Sequence, residues 1–275
     1  MCVILFSFQP DTDTPLTLGA NRDEFFARPT APLQFWEDHQ SILAGRDLQA
    51  GGTWLGITRT GRFAAITNVR EPGVVVNDPL SRGELTKNFL SGTESPEQYL
   101  QNIVDQQDRY AGFNLLVGDF SGEHASLYYF SNRGDGIKPL PAGTYGLSNH
   151  LLDSPWPKVA DGKEKLRTRL QEAGVDHTLI RQILENPEQA HDERLPSTGI
   201  DYEREKALSA MFITLPDYGT RASTVLTISL DQVEFCEQNY SPSVDGKPKC
   251  EGETRCFAFE LDTAATMPSA IARAK

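Results

Sequence analysis

Directly after Cys2 the chain runs Val3-Ile4-Leu5-Phe6-Ser7-Phe8, apolar except for Ser7. A run this short, followed by the turn-forming stretch Asp11-Thr12-Asp13-Thr14-Pro15, reads as a fully buried β-strand. Residues 16–20, Leu-Thr-Leu-Gly-Ala, return as its neighbour. Cys2 is thereby placed at the start of a central strand, and Asn21 to Glu24 at the end of the strand beside it. Residues 53–58 and 62–68 predict a second hairpin around Thr60-Gly61.

Helical signals follow. Ser81-Arg82-Gly83-Glu84 has the form of a capping box, and Ser95-Pro96-Glu97-Gln98 combines a cap residue with proline at the first helical position. Tyr99, Leu100, Ile103 and Val104 then recur at helical spacing. Strands are expected at residues 113–120 and 125–130, a long polar helix containing Val159, Leu166 and Leu170 from Ser154-Pro155, and a helix over 177–184. Residues 186–202 read as an exposed loop, and strands close the chain near 224–229, 233–237 and 256–261. Strands, then helices, then strands predict an α+β fold with largely antiparallel sheets, in one domain spanning 1–275.

Composition narrows the function classes. A net charge of -12 opposes nucleic-acid binding, because phosphate recognition needs a basic face. No stretch approaches the roughly 20 apolar residues of a membrane span. The first residues lack a charged region followed by an apolar one, so cytoplasmic residence is the expectation. Cys236, Cys250 and Cys256 lack the close pairs of a zinc ribbon and are expected to be free thiols on or beside a hairpin. The histidines show no metal-binding spacing. His150 reads as a polar loop residue rather than a general acid or haem ligand, and Gly51-Gly52 as a tight turn rather than a phosphate cradle.

Two features carry chemistry. Removal of Met1 would leave Cys2 with a thiol and a free α-amine, a nucleophile and a base on one residue. Asn21-Arg22-Asp23-Glu24 places a dense polar cluster beside it. Alone, that quartet would be a salt-bridged turn. Next to Cys2, it offers a carboxylate to orient the amine and an arginine to lower the thiol pKa.

The chain resembles the NRDE family, to which the animal transport and Golgi organisation protein 2 belongs. The resemblance rests on Met1-Cys2, Asn21-Arg22-Asp23-Glu24, Gly51-Gly52-Thr53-Trp54-Leu55-Gly56, Thr67-Asn68, Ser81-Arg82-Gly83, Tyr145-Gly146-Leu147-Ser148-Asn149 and Gly219-Thr220-Arg221. That family is in turn similar to the N-terminal nucleophile hydrolases of the choloylglycine-hydrolase group. The similarity implies a four-layer αββα sandwich of two antiparallel sheets. It implies Cys2 as nucleophile, Asp23 as the carboxylate orienting its amine, and Asn68 and Asn149 as amide donors to an oxyanion. It also implies Arg221 with its guanidinium beside the thiolate, and Asn21 and Arg22 in substrate binding. The hydrolases carry arginine before the asparagine, where this chain has Ala20. Because successive side chains alternate, Arg22 is expected to point from a different strand face.

Two functions are implied. One is cleavage of a linear amide bond in a small acylated molecule, with no cofactor. The other is carriage without turnover of haem, an acyl-coenzyme A or a lipid in the same pocket, reflecting the family's roles in haem mobilisation and lipid metabolism.

Overall fold

The computed structural model describes residues 2–122, 124–230, 232–242 and 249–262. Six strands come first: β1 (Cys2–Phe8), β2 (Leu16–Phe25), β3 (Thr30–Phe35), β4 (Ile42–Asp47), β5 (Leu55–Thr58) and β6 (Arg62–Asn68). Helices α1 (Gly83–Ser91) and α2 (Pro96–Val104) follow, then β7 (Phe113–Asp119), β8 (Ser126–Ser131), β9 (Lys138–Pro139) and β10 (Gly143–Leu147). Next are α3 (Pro157–Ala173), α4 (His177–Leu184) and α5 (Tyr202–Leu208). The described elements end with β11 (Tyr218–Ile228), β12 (Gln232–Ser241), β13 (Lys249–Cys250) and β14 (Arg255–Glu260).

The strands form two antiparallel sheets. One runs β10-β1-β2-β11-β12, with β13 and β14 both pairing β12, and the other runs β3 to β9 in chain order. The opening apolar strand is central, as expected, because both of its faces are needed. Ile4, Phe6 and Phe8 join Leu16, Leu18 and Ala20 in a core shared with Leu43, Leu55, Phe63 and Leu116 of the second sheet. Val3 and Leu5 point the other way, against Leu166 of α3 and Ile180 and Leu184 of α4. On the far side, Ile42, Ala64 and Ile66 pack under Leu85, Phe89 and Leu100 of α1 and α2. The result is a four-layer αββα sandwich.

Several local expectations change. Strand β2 continues to Phe25, so Asn21 to Glu24 lie inside it, with Cys2 directly opposite Arg22. Ser95 caps α2 by accepting the Gln98 N–H at 3.3 Å, but Ser81 caps nothing with its side chain. Arg82 occupies the cap position of α1, and the Glu84 N–H reaches the Ser81 carbonyl instead. The expectation of three free C-terminal thiols is also corrected. Cys236 and Cys256 face each other across β12 and β14 and are disulfide-bonded, leaving Cys250 free and exposed. Their strands were predicted, but not the register that sets them opposite one another.

Candidate active site

Side-chain alternation carries Cys2 to the same side of β1 as Ile4 and Phe6, where the strand opens at the end of the inter-sheet core. A cavity of about 510 Å³ begins there, lined by Cys2 and Arg22 of the first sheet, by Trp54 just before β5, and by Ile66 and Asn68 of β6. Arg82 and Gly83, at the start of α1, border it too. The volume falls within the range of small-molecule sites. The Ser148 hydroxyl donates to the Cys2 carbonyl at 2.9 Å, fixing the first residue of β1 to the end of β10.

Burial pushes the Cys2 thiol up, and the Asp23 carboxylate adds to the rise. Arg22 and a hydrogen bond from the Asp23 backbone N–H pull it down without reversing it. An arginine therefore does sit near the sulfur, but the thiol at rest is held in its protonated form. A base must take its proton when it reacts.

Asp23 is 1% exposed. Its Oδ1 accepts the Thr220 hydroxyl at 2.7 Å, and its carbonyl accepts the Tyr218 hydroxyl at 2.9 Å. Burial pushes its carboxyl up, while Lys158, Thr220 and Arg22 pull it back.

Arg22 is not on a different face from residue 20. Positions two apart on a strand share a face, and Ala20 and Arg22 both point toward the second sheet. The Arg22 guanidinium lies 4.4 Å from the Trp54 ring centroid and donates to Thr30 Oγ1 at 3.2 Å. Glu24 and Asp47 carboxylate oxygens stand farther off, at 3.7 and 3.9 Å.

The remaining sequence candidates divide. Asn68, closing β6, lines the cavity. Asn149 is fully buried beside it and donates its amide to the Asn68 carbonyl at 2.9 Å, so it braces Asn68 and is not among the cavity's lining residues. Arg221 sits at the irregularity where β11 shifts register between Thr220 and Ala222. Its guanidinium donates to the carbonyls of Phe25, Phe26 and Arg28 rather than standing beside the thiolate. Asn21 faces the helices, donating to the carbonyls of Leu184 at 2.8 Å and Met211 at 2.9 Å and accepting the Ser223 hydroxyl at 2.6 Å. Cys2, Arg22, Asp23 and Asn68 come together at the cavity, and Asn21, Asn149 and Arg221 support its frame.

Sequence reasoning assigned no role to four charged residues near the site. Arg28 and Asp47 pair at 2.7 Å on the cavity wall. Arg82 donates to the Gly112 carbonyl at 3.0 Å, and its charge is felt at Cys2. Lys158 is buried in α3. Arg82 stands in the Ser81-Arg82-Gly83 motif, and Lys158 lies four residues before Gly162 and eight before Leu166 on the buried stripe of α3. His150 is exposed, hydrogen-bonded to Ser154 at 2.7 Å. His177, Glu234 and Cys236 gather as a metal site would, but the Cys236 sulfur is committed to its disulfide.

The family model described as Transport and Golgi organisation 2 matches residues 1–242. The Bos taurus Transport and Golgi organization protein 2 homolog is 37% identical over 284 residues, covering 96% of this chain and 100% of its own length. The Homo sapiens homolog is 35% identical over 282 residues, with 96% and 100% covered. Among solved structures, variant R18L of the conjugated bile acid hydrolase from Clostridium perfringens superposes with a TM-score of 0.48 at 7% identity, covering 95% of this chain and 98% of that one. A Caenorhabditis elegans N-acylethanolamine-hydrolyzing acid amidase ortholog gives 0.40 at 12% identity, covering 82% and 92%.

Proposed function

We propose that this chain, which belongs to the Transport and Golgi organisation 2 family, is an amidohydrolase that cleaves a linear C–N bond in a small acylated molecule with Cys2 as nucleophile. The observation that carries the reading is the position of Cys2: first residue of a central strand, lining the cavity together with Asp23, whose backbone N–H is hydrogen-bonded to the Cys2 sulfur. The reading requires removal of Met1, which lies outside the described residues. The freed α-amine then has Asp23 to orient it.

The chemistry follows from the pKa directions. Burial favours the protonated thiol, so its proton passes to the Cys2 α-amine as the sulfur attacks the carbonyl carbon. The Asn68 side-chain amide donates to the oxyanion of the tetrahedral intermediate, and Asn149 braces the Asn68 backbone through its main-chain carbonyl. The ammonium returns its proton to the leaving nitrogen as the C–N bond breaks, leaving a thioester on Cys2. Water, deprotonated by the same amine, hydrolyses the thioester and regenerates the thiol. Trp54, Ile66 and Leu80 offer apolar wall for an acyl chain.

The test is to trap the thioester. Protein lacking Met1 is mixed with activated N-acyl amides, quenched in acid and weighed by mass spectrometry. One acyl group on the peptide containing Cys2, absent in Cys2→Ala, is expected. A panel of acyl chains that leaves Cys2 unmodified while amide is consumed would reject the mechanism.

The carrier reading also has an observation in its favour. Arg22, Arg28 and Arg82 all line the cavity, and Arg82 pairs with no carboxylate among the described residues. Guanidinium groups so placed suit a ligand carboxylate or phosphate. An optical titration with haem checks that version, and an unshifted Soret band at micromolar protein counts against it.

A further inference from the structure

Lys158 occupies a position where an apolar residue is expected. It shares the sheet-facing stripe of α3 with Gly162 and Leu166, four and eight residues on. At Gly162 the helix is pressed against its neighbours: a Cβ there would stand 2.8 Å from Leu5 Cδ1 and 2.7 Å from Met211 Cε. One turn earlier the stripe holds a lysine that is 5% exposed, whose Nζ is buried with no hydrogen-bond partner among the described residues. Burying an ammonium this way is costly unless nearby charge compensates.

Asp23 belongs to the same layer. It shares the helix-facing side of β2 with Asn21, whose amide reaches the carbonyl of the same Met211 that packs on Gly162. Among the charged groups whose fields act on Lys158 are Asp23 on β2, Arg70 after β6, Cys2 on β1 and Glu205 on α5. Glu205 is already engaged, by Arg70 on one oxygen and by the Thr198 N–H and hydroxyl on the other. Arg70 is in turn stacked on Trp156.

We propose that Lys158 is a positioning residue of the candidate active site, a buried cation behind the first sheet that keeps the Asp23 carboxyl ionised and able to orient the Cys2 amine. The proposal rests on the nucleophile reading. Supporting it, Lys158 is foremost among the groups that draw the buried Asp23 carboxyl down, and Asp23 is foremost among those that hold the buried Lys158 in its charged form.

The test reads ionisation directly. Protein carrying 13C at the aspartate carboxyl groups is titrated by NMR, with Asp23 assigned by its absence in Asp23→Asn. In Lys158→Met the Asp23 midpoint should rise by about one pH unit or more, as expected on removing a nearby opposite charge. Lys158→Arg should restore it, while aspartates elsewhere stay fixed. The reciprocal measurement follows lysine 13Cε, where Asp23→Asn should lower the Lys158 midpoint. If Lys158→Met does not fold, the reciprocal measurement alone decides. An Asp23 midpoint unmoved in folded Lys158→Met, or a Lys158 midpoint unmoved in Asp23→Asn, overturns the proposal. Neither readout needs turnover, so a Lys158–Asp23 coupling that holds while Cys2→Ala still cleaves amides would reject the nucleophile reading alone.

Discussion

Replacing Asn21 with leucine should destabilise the protein severely, although the residue touches no cavity. Its carboxamide is 1% exposed and joins three elements: its Nδ2 serves the Leu184 carbonyl ending α4 and the Met211 carbonyl, and its Oδ1 takes the Ser223 hydroxyl of β11. Leucine fills similar space but strands two carbonyl acceptors in a dry layer. Each such group costs about 1–3 kcal/mol, and the Ser223 hydroxyl can rotate to limit its own loss. The sum is about 2–6 kcal/mol, against about 5–15 kcal/mol for a whole domain. With a urea m value of about 3 kcal/mol/M, the unfolding midpoint should fall by about 0.7–2 M at unchanged m. Asn21→Asp provides an internal check. It keeps size and the Ser223 bond but turns an acceptor toward two carbonyls, so it should be at least as damaging at neutral pH and partly relieved in acid, where the carboxyl regains a donor. A midpoint for Asn21→Leu within the error of wild type would refute the assignment of Asn21 as a brace.

Two further outcomes follow from buried groups. Glu237 is 2% exposed, burial pushes its carboxyl up, and its Oε1 accepts the Leu33 N–H at 2.7 Å and the Asn239 amide at 3.1 Å. A raised folded pKa means stability is fully present below the unfolded value of about 4.3 and is lost as pH rises through the folded one. Glu237→Gln, which keeps the accepting oxygen, should therefore be more stable than wild type at neutral pH and indistinguishable in acid by urea melts. A neutral-pH loss would show that the ionised form is the one the fold favours. The second outcome concerns the cysteines: protein denatured without reductant should titrate two thiols, rising to all four after reduction. The double variant Cys236→Ala with Cys256→Ala, opening a link between residues 20 apart in sequence, should lose about 3 kcal/mol. Four thiols without reductant would contradict the bond.

Where the fold was legible, one residue pattern had one physical use. Val3 to Phe8 can be buried only as a central strand, and Ser95-Pro96 can only begin a helix. Strand β3 escaped notice because Pro32 interrupts its pattern and its pairing with β4 slips between Ala31 and Gln34, an irregularity tolerated on an edge strand. Helix α5 was hidden in polar sequence, where Asp201 caps it through the Arg204 N–H. At the site, Cys2, Arg22, Asp23 and Asn68 were readable because motif residues at strand ends converge when the strands pair. Arg221 and Asn149 were assigned to the cavity because a sequence gives a residue's neighbours along the chain, not which carbonyl its side chain will meet. The face of Arg22 was a different matter, since alternation itself, counted from residue 20, places it with the sulfur.

Turnover in Cys2→Ala tests the account most directly. Protein confirmed by mass to lack Met1 would be assayed for amine release from a panel of N-acyl amides, beside folded Cys2→Ala at the same concentration. A wild-type rate that falls by about a thousandfold or more is the outcome the account requires, since loss of a covalent nucleophile has effects of that order. Equal amine release from the two proteins would contradict it.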